Sequence, residues 1–377
     1  MLIGLADLFS RHHGRGNPSP GSPTNASRPS PSAANLSILD LLDRFSRHIE
    51  ASGLLEGAER VVVACSGGGD STALLVILNC LSKNSPPGLP VSLSLAACHV
   101  AHGLRGKAGR KDALFVEKLS ASLGIPFVLR EVDVPANRKT GESLEAAGRR
   151  LRYEALLAVA RANGPGTLAA TGHTLDDQAE TVLLNLHRHA GRTRGGIRAA
   201  RADGVVRPLL PFSRDDLRVF LRARNVDWRE DETNENEALL RNRIRRHELP
   251  ALEAASPGTA ARLARAAEAW SARLDALDAR IDAALGAAHA PLAGPWPRPL
   301  VVSLGKEAAG RLLLRAAGIS GDVPGRHQVE AAVRRLRRGE ARFAESLAGR
   351  RLSADTRVVR LARRAASPAA PPDRLET

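Results

Sequence analysis

Residues 61–78 read VVVACSGGGDSTALLVIL. A short β-branched run ends at Cys65, three glycines follow, and an apolar run of helical length comes next. That order predicts a buried strand, a sharp turn and a helix, the repeating unit of a parallel α/β sheet. Glycines let a backbone turn tightly and approach a ligand closely. The N–H groups at the start of the helix then form an anion site. Yet neither G-x-x-x-x-G-K-[ST] nor G-x-G-x-x-G is present. No lysine follows the turn, and Asp70 would repel a phosphate. A carboxylate in this position makes sense when a divalent cation lies between the two, because magnesium accepts one or two carboxylates together with phosphate oxygens. Helix capping by Asp70 and Ser71 is the plainer alternative, but it does not require three glycines.

Outward from this turn the pattern alternates. Strands are predicted at 61–65, 92–100, 126–132 and 167–173, and helices at 71–83, 112–124, 143–163 and 176–187. The spacing implies βαβ units, hence a doubly wound, mostly parallel sheet with helices on both faces. Ligands of such sheets bind beyond the carboxyl ends of the strands. SGGGDS, HVAHGLRG and TGHTLDDQ all fall at such ends, so three polar clusters are expected to face one crevice. Residues 1–37 are expected to form a disordered leader, because 14–35 are rich in Pro, Ser, Gly and Asn. The catalytic domain is placed at 38–250, a helical linker at 251–295, a small basic module at 296–366 and a disordered tail at 367–377.

The 377 residues carry a formal net charge of +15, which favours a polyanionic partner such as nucleic acid. The basic residues are 49 arginines against 6 lysines, a bias that a GC-rich coding sequence also produces. The carboxyl-terminal stretch 326–364 concentrates 12 Arg against 4 acidic residues. Cys65, Cys80 and Cys98 form no C-x-x-C pair, which argues against a disulfide framework or a cysteine-held metal. Apolar runs fall short of the ~18 residues of a membrane span, and the first residues make a poor secretory signal. A cytoplasmic enzyme without membrane attachment is expected, as monomer or homodimer.

The remaining clusters each admit two readings. His99, His102 and Arg105 could hydrogen-bond a nucleotide and its phosphates or form a structural pair; no third ligand completes a zinc site. In ESLEAAGRRLRYEAL the stripe Leu144, Ala147, Gly148, Leu151, Ala155 and Ala158 is expected to be buried. Arg149, Arg150, Arg152 and Tyr153 are expected off it. In the 176–187 helix, Ala179, Val182, Leu183 and Leu186 are the expected buried face. Asp176 and Asp177 either cap that helix or hold magnesium or an amine. Arg241, Arg243, Arg245 and Arg246 suit phosphate recognition or an ion-paired helix surface.

SGGGDS resembles the PP-loop of the ATP pyrophosphatase superfamily, whose fold is adenine nucleotide alpha-hydrolase-like. Read together, SGGGDS, HVAHGLR, EAAGRRLRY, DDQAETVLL and DETN…RNRIR resemble the bacterial tRNA(Ile)-lysidine synthase family, in order, over residues 59 to 250. Ala101 stands where that family has Asn or Asp, and Gly148 where it has Ala. The resemblance implies a ligase that uses ATP and Mg2+. Its expected partners are tRNA(Ile) with a CAU anticodon and free L-lysine. Ser66, Gly67, Gly68, Gly69 and Ser71 would cradle ATP, with His99, His102 and Arg105 beside it. Asp70, and with it Asp177, would hold magnesium. Asp177 with Asp176 would take lysine or metal, and Arg149 with Arg241 or Arg243 would stabilise charge or contact RNA. The implied chemistry is adenylation of the wobble cytosine at oxygen 2, followed by attack of the lysine ε-amine at carbon 2. A tRNA thiolase, a small-molecule amide synthetase or a non-enzymatic nucleotide-binding module are the alternatives. The first is disfavoured by the missing C-x-x-C pairs.

Overall fold

The computed structural model describes residues 31–84, 93–101, 106–187, 196–230, 240–318, 326–347 and 350–363. Most of the expected leader, the tail, His102, Arg105 and the DETN tetrapeptide (231–234) lie outside the described residues. Five strands, β1 (Arg60–Ala64), β2 (Ser94–Ala101), β3 (Phe127–Glu131), β4 (Thr167–Thr171) and β5 (Val205–Val206), form one sheet in the order β3-β2-β1-β4-β5. Every pairing is parallel. The order reverses beside β1, which is where a doubly wound sheet opens a crevice. The register also matters: Ala64 pairs with both Cys98 and Thr171, so the turns that follow β1 and β4 leave the sheet side by side.

Six helices belong to this sheet: α1 (Pro31–Ser52), α2 (Gly69–Ser82), α3 (Gly106–Leu123), α4 (Leu144–Ala162), α5 (Leu175–His187) and α6 (Arg214–Ala223). Successive side chains of a strand point to opposite faces. Val61 and Val63 accordingly join a core with α1, α2, α3 and α6, while Val62 packs with Ala96, Cys98, Tyr153, Leu156 and Val159 on the other side. Both faces are covered, which is why the valine run has no polar interruption. Leu74, Leu75, Val76, Ile77 and Leu78 of α2 are all inaccessible to solvent, so this helix has no polar stripe to read. α1 begins at Pro31, inside the stretch expected to be disordered; proline suits the first turn of a helix, where its missing N–H costs nothing.

Two helices present a different face to the core than their sequence pattern predicts. α4 has the expected caps, Ser143 accepting from the Ala146 N–H at 3.2 Å and Asn163 closing the other end. Its buried face, however, is Ala147, Gly148, Tyr153, Leu156, Val159 and Ala160, whereas Leu144 and Ala158 are exposed. The aromatic ring of Tyr153 outweighs several alanines in apolar area and sets the phase. On α5, Gln178, Ala179, Glu180 and Leu183 are buried and Leu186 is exposed. Two polar residues occupy that face because both find partners there, and a paired polar group can be buried.

Beyond the sheet come α7 (Leu240–Arg243), a π-helical turn (Ile244–Glu248), α8 (Leu249–Ala255) and α9 (Thr259–Ala287). At 1.5 Å per residue α9 is about 43 Å long. One end packs on α5 and the other on α11. A second core follows, built from α10 (Arg298–Ser303), α11 (Gly305–Gly318) and α12 (Arg326–Arg337) against an antiparallel sheet. That sheet has β6 (Trp296–Pro297), β7 (Phe343–Leu347), β8 (Arg350–Ala354) and β9 (Val358–Arg363) in the order β6-β9-β8-β7. α9 meets α11 through a two-pronged Arg311–Asp278 pair at 2.8 and 2.7 Å. No described helix is long and apolar enough to cross a membrane.

Candidate active site

The carboxyl ends of β1, β2 and β4 open into a crevice of about 1220 Å3. Its floor is the turn from Ser66 to Ser71. Gly67 has φ +89°, which a side chain would strain, and a Cβ there would sit 3.2 Å from the Phe115 ring. Its carbonyl accepts from the Arg229 N–H at 2.9 Å and the Thr72 hydroxyl at 3.3 Å. The Ser71 hydroxyl accepts from the Ser66 N–H at 3.1 Å and donates to the Gly68 carbonyl at 3.0 Å. Ser71 thus shapes the turn from within. Gly68 is the residue before α2, whose first N–H groups have no carbonyl a turn earlier to bond. They are available to an anion in the crevice.

Gly172, just past β4, allows the second wall to come close. A Cβ there would lie 3.0 Å from the backbone of Asp70 and Ser71. His99, at the end of β2, is buried and places Nδ1 2.9 Å from the Cys65 carbonyl. A carbonyl only accepts, so that nitrogen carries the hydrogen. Arg149 stacks its guanidinium 5.3 Å from the Tyr153 ring centre, and both line the crevice.

The charged centre is a knot of acids and arginines. Asp177 accepts from the Thr174 N–H at 2.9 Å and hydroxyl at 3.1 Å, and pairs with Arg214 at 2.7 Å and Arg241 at 3.4 Å. Asp70 pairs with Arg214 at 3.3 Å. Glu180, at 1% exposure, pairs with Arg214 at 2.7 Å, Arg241 at 3.2 Å and Arg245 at 3.5 Å. Burial pushes the Asp70 carboxyl up, against the pull of Arg214, and the nearby Asp177 adds to the rise. For Asp177 burial acts in the same direction, but Arg214, His173 and the Thr174 N–H outweigh it and hold the carboxyl below its usual range. Burial lowers His173 to about 4, so its imidazole is neutral at pH 7.

Of the expected site residues, Ser66, Gly68, Gly69, Asp70, Ser71, His99, Arg149 and Asp177 line the crevice. Gly67 does not line it. Asp176 does not face the crevice: its carboxylate accepts from the main-chain N–H of Arg214 at 2.8 Å and caps α6. The structure therefore separates the two neighbouring aspartates. Arg241 reaches the acids from outside the lining, and Arg243 is exposed and does not line the crevice; Arg245 and Arg246 line it instead. The π-helical turn rotates the chain between these two sets, an insertion that helices often carry at functional positions. The structure adds Glu180, His173, Trp228 and Arg214, none of which the sequence pattern singles out. Glu180 is legible in hindsight, one helical turn from Asp177 in DDQAET. Arg214 is not, since nothing in PFSRDD ties it to a turn 144 residues earlier.

Among the described residues no group of three or more His, Cys, Asp or Glu side chains is arranged to hold a metal ion. Asp70 and Asp177 are two carboxylates facing the same crevice, and burial disfavours the charge on Asp70. That donor set fits magnesium, which takes its other ligands from phosphates and water.

The PP-loop domain family matches residues 41–252. The tRNA(Ile)-lysidine synthase of Geobacter sulfurreducens is 41% identical over 239 residues, covering 62% of this chain and 49% of that protein. The tRNA(Ile)-lysidine synthase of Thermus thermophilus is 42% identical over 226 residues, covering 60% and 42%. The chain spans about half the length of the curated relatives it matches. Among solved structures, the tRNA thiolase NcsA of Methanococcus maripaludis, determined with its [4Fe-4S] cluster, aligns with TM-score 0.49 at 19% identity, over 61% of this chain and 78% of that one.

Proposed function

The chain belongs to the PP-loop domain family, and from that premise we propose that it ligates free lysine to carbon 2 of the wobble cytidine of tRNA(Ile) with a CAU anticodon, consuming ATP. The observation that carries this reading is the convergence of the glycine turn, Asp70 and Asp177 on one crevice, in a chain 41% identical to a lysidine synthase across that region.

The polyphosphate of ATP lies over the start of α2, where the N–H groups and helix dipole favour negative charge. Asp70 and Asp177 would hold magnesium there, which when bound offsets the charge that builds on departing pyrophosphate. Oxygen 2 of the cytosine attacks the α-phosphorus, forming an oxygen–phosphorus bond as the bond to pyrophosphate breaks. The lysine ε-amine, in its neutral form, then forms a bond to carbon 2, AMP leaves with the original oxygen, and the amine releases a proton. Adenylation is needed because the carbonyl oxygen on carbon 2 is otherwise a poor leaving group. Arg149, Arg245 and Arg246 line the crevice and supply positive charge for phosphate oxygens. Asp177 is the aspartate that could orient the lysine; Asp176 acts through the cap of α6.

We assign 38–250 to catalysis, 251–295 to a helical linker and 296–366 to a basic module that grips tRNA, in a cytoplasmic protein acting as monomer or homodimer. The test is transfer of labelled lysine to a CAU-anticodon transcript in the presence of ATP and magnesium. Lysine-dependent labelling is expected. Its absence in a preparation that binds ATP would overturn the assignment. Asp70→Asn is expected to slow pyrophosphate release roughly 100-fold or more, the cost of about 3 kcal/mol of lost transition-state stabilisation. Release at the wild-type rate would remove Asp70 from the chemistry.

A further inference from the structure

Arg214 has no part in the steps above, yet it is the hub of the acidic cluster. Its side chain is 10% exposed. Nε reaches Asp70 at 3.3 Å, Nη2 reaches Asp177 at 2.7 Å and Nη1 reaches Glu180 at 2.7 Å. Its main chain is fixed independently. Ser213 and Asp216 form a reciprocal cap at the start of α6, and Asp176 accepts from the Arg214 N–H. A rigid α6 therefore delivers one guanidinium between acids carried by α2 and α5.

Carboxylates gathered in a buried site repel one another and stay ionised only beside compensating charge. Glu180 has Arg241 and Arg245 as further partners. For Asp70, Arg214 is the ion-pair partner at contact distance among the described residues, with Arg245 a more distant favourable charge. The same guanidinium spans Asp70 and Asp177, the two side chains assigned above to a divalent cation. We infer that Arg214 is a positioning residue that keeps the cation's place: it holds Asp70 and Asp177 at the crevice when no divalent cation is bound, and a cation that binds takes over part of its charge. This rests on reading the crevice as a magnesium–nucleotide site, and not on which acceptor is modified.

Two consequences separate this role from plain structural support. First, the wild-type fold does not need magnesium, whereas a chain without the guanidinium does. Second, Arg214 competes with the cation, so removing it strengthens binding of magnesium to the nucleotide-free protein. A residue that merely shaped the site would, when removed, loosen the acids and weaken that binding.

The experiment compares the wild-type full chain with Arg214→Met and Arg214→Lys. Thermal unfolding is followed across a magnesium chloride titration, with potassium chloride at matched ionic strength as control. Magnesium affinity is measured by calorimetry without nucleotide. The wild-type midpoint is expected to gain only a small increment from magnesium over matched potassium, well below that of the variant. Arg214→Met is expected to melt roughly 5–10 °C lower in chelator, the scale set by removing one partner of a buried ion pair. Magnesium, and not potassium, should restore at least half of that loss, and magnesium should bind about tenfold more tightly than to wild type. Arg214→Lys keeps a point charge that cannot span three acids, so it should fall between the two. An Arg214→Met chain that gains nothing specific from magnesium, or binds it more weakly than wild type, overturns the inference. If that variant does not fold at all, Arg214→Lys decides on the same terms: a magnesium-specific gain supports the inference and its absence overturns it. Neither ATP nor tRNA enters this assay, so a failed lysine transfer would sink the proposed reaction and leave this result standing.

Discussion

At the scale of single residues, His173 offers a measurement that needs no substrate. Burial holds its pKa at about 4, against an ordinary value of 6.5. Between those values the unfolded chain binds a proton that the folded chain refuses. Stability therefore falls as pH drops from 6.5 toward 4, and is unaffected by this group above 6.5. The whole shift corresponds to about 3 kcal/mol. Denaturant unfolding of His173→Gln is expected to show a shallower decline than wild type over that window; parallel curves would mean that the imidazole titrates normally. The histidine stands in plain sight within TGHTLDD, but its burial depends on neighbours from other elements. The same is true of Asp176 and Asp177. Both stand at a helix start in the sequence, and only the placement of α6 turns one into a cap and leaves the other facing the crevice.

At the scale of elements, the four main strands and the helices between them are legible because hydrophobic pattern and turn residues agree. What escapes a reading of the sequence does so for physical reasons. β5 is two residues long, too short for any periodicity. α6 is short and begins with a charged run, so its cap rather than its apolar face announces it. β8 and β9 carry the exposed arginines Arg351 and Arg360, which hide their alternation behind positive charge. Within that module Arg298 looks like one more basic residue. It is buried, and its guanidinium donates to the carbonyls of Leu336 at 3.1 Å, Glu340 at 2.6 Å and Asp355 at 2.8 Å. It closes the end of α12 and ties it to the turn before β9. Arg298→Met leaves these acceptors without a donor and is expected to cost roughly 3 kcal/mol or more. Trp296 is wholly buried and its indole N–H donates to the Pro291 carbonyl at 3.0 Å. Fluorescence should therefore shift to the red as the module opens, at a lower denaturant concentration than in wild type. An unchanged midpoint would show that water replaces the arginine without penalty.

At the scale of the whole molecule, two cores are joined along α9, one carrying the crevice and the other an exposed arginine surface. Arg337, Arg338 and Arg351 are all exposed on that second core. If the module grips RNA as proposed, every phosphate that it no longer neutralises lowers the slope of log affinity against log salt by about 0.9. Replacing the three arginines by alanine is expected to weaken tRNA binding and flatten that slope by roughly 1–3, with ATP binding unchanged; an unaltered slope would assign the surface to something other than RNA. The hub at Arg214 has a consequence for how the protein is made. A ribosome delivers Asp70, Asp177 and Glu180 first, and the guanidinium groups of Arg214, Arg241 and Arg245 only afterwards. A nascent chain that already displays the glycine turn thus still carries acids that push each other apart.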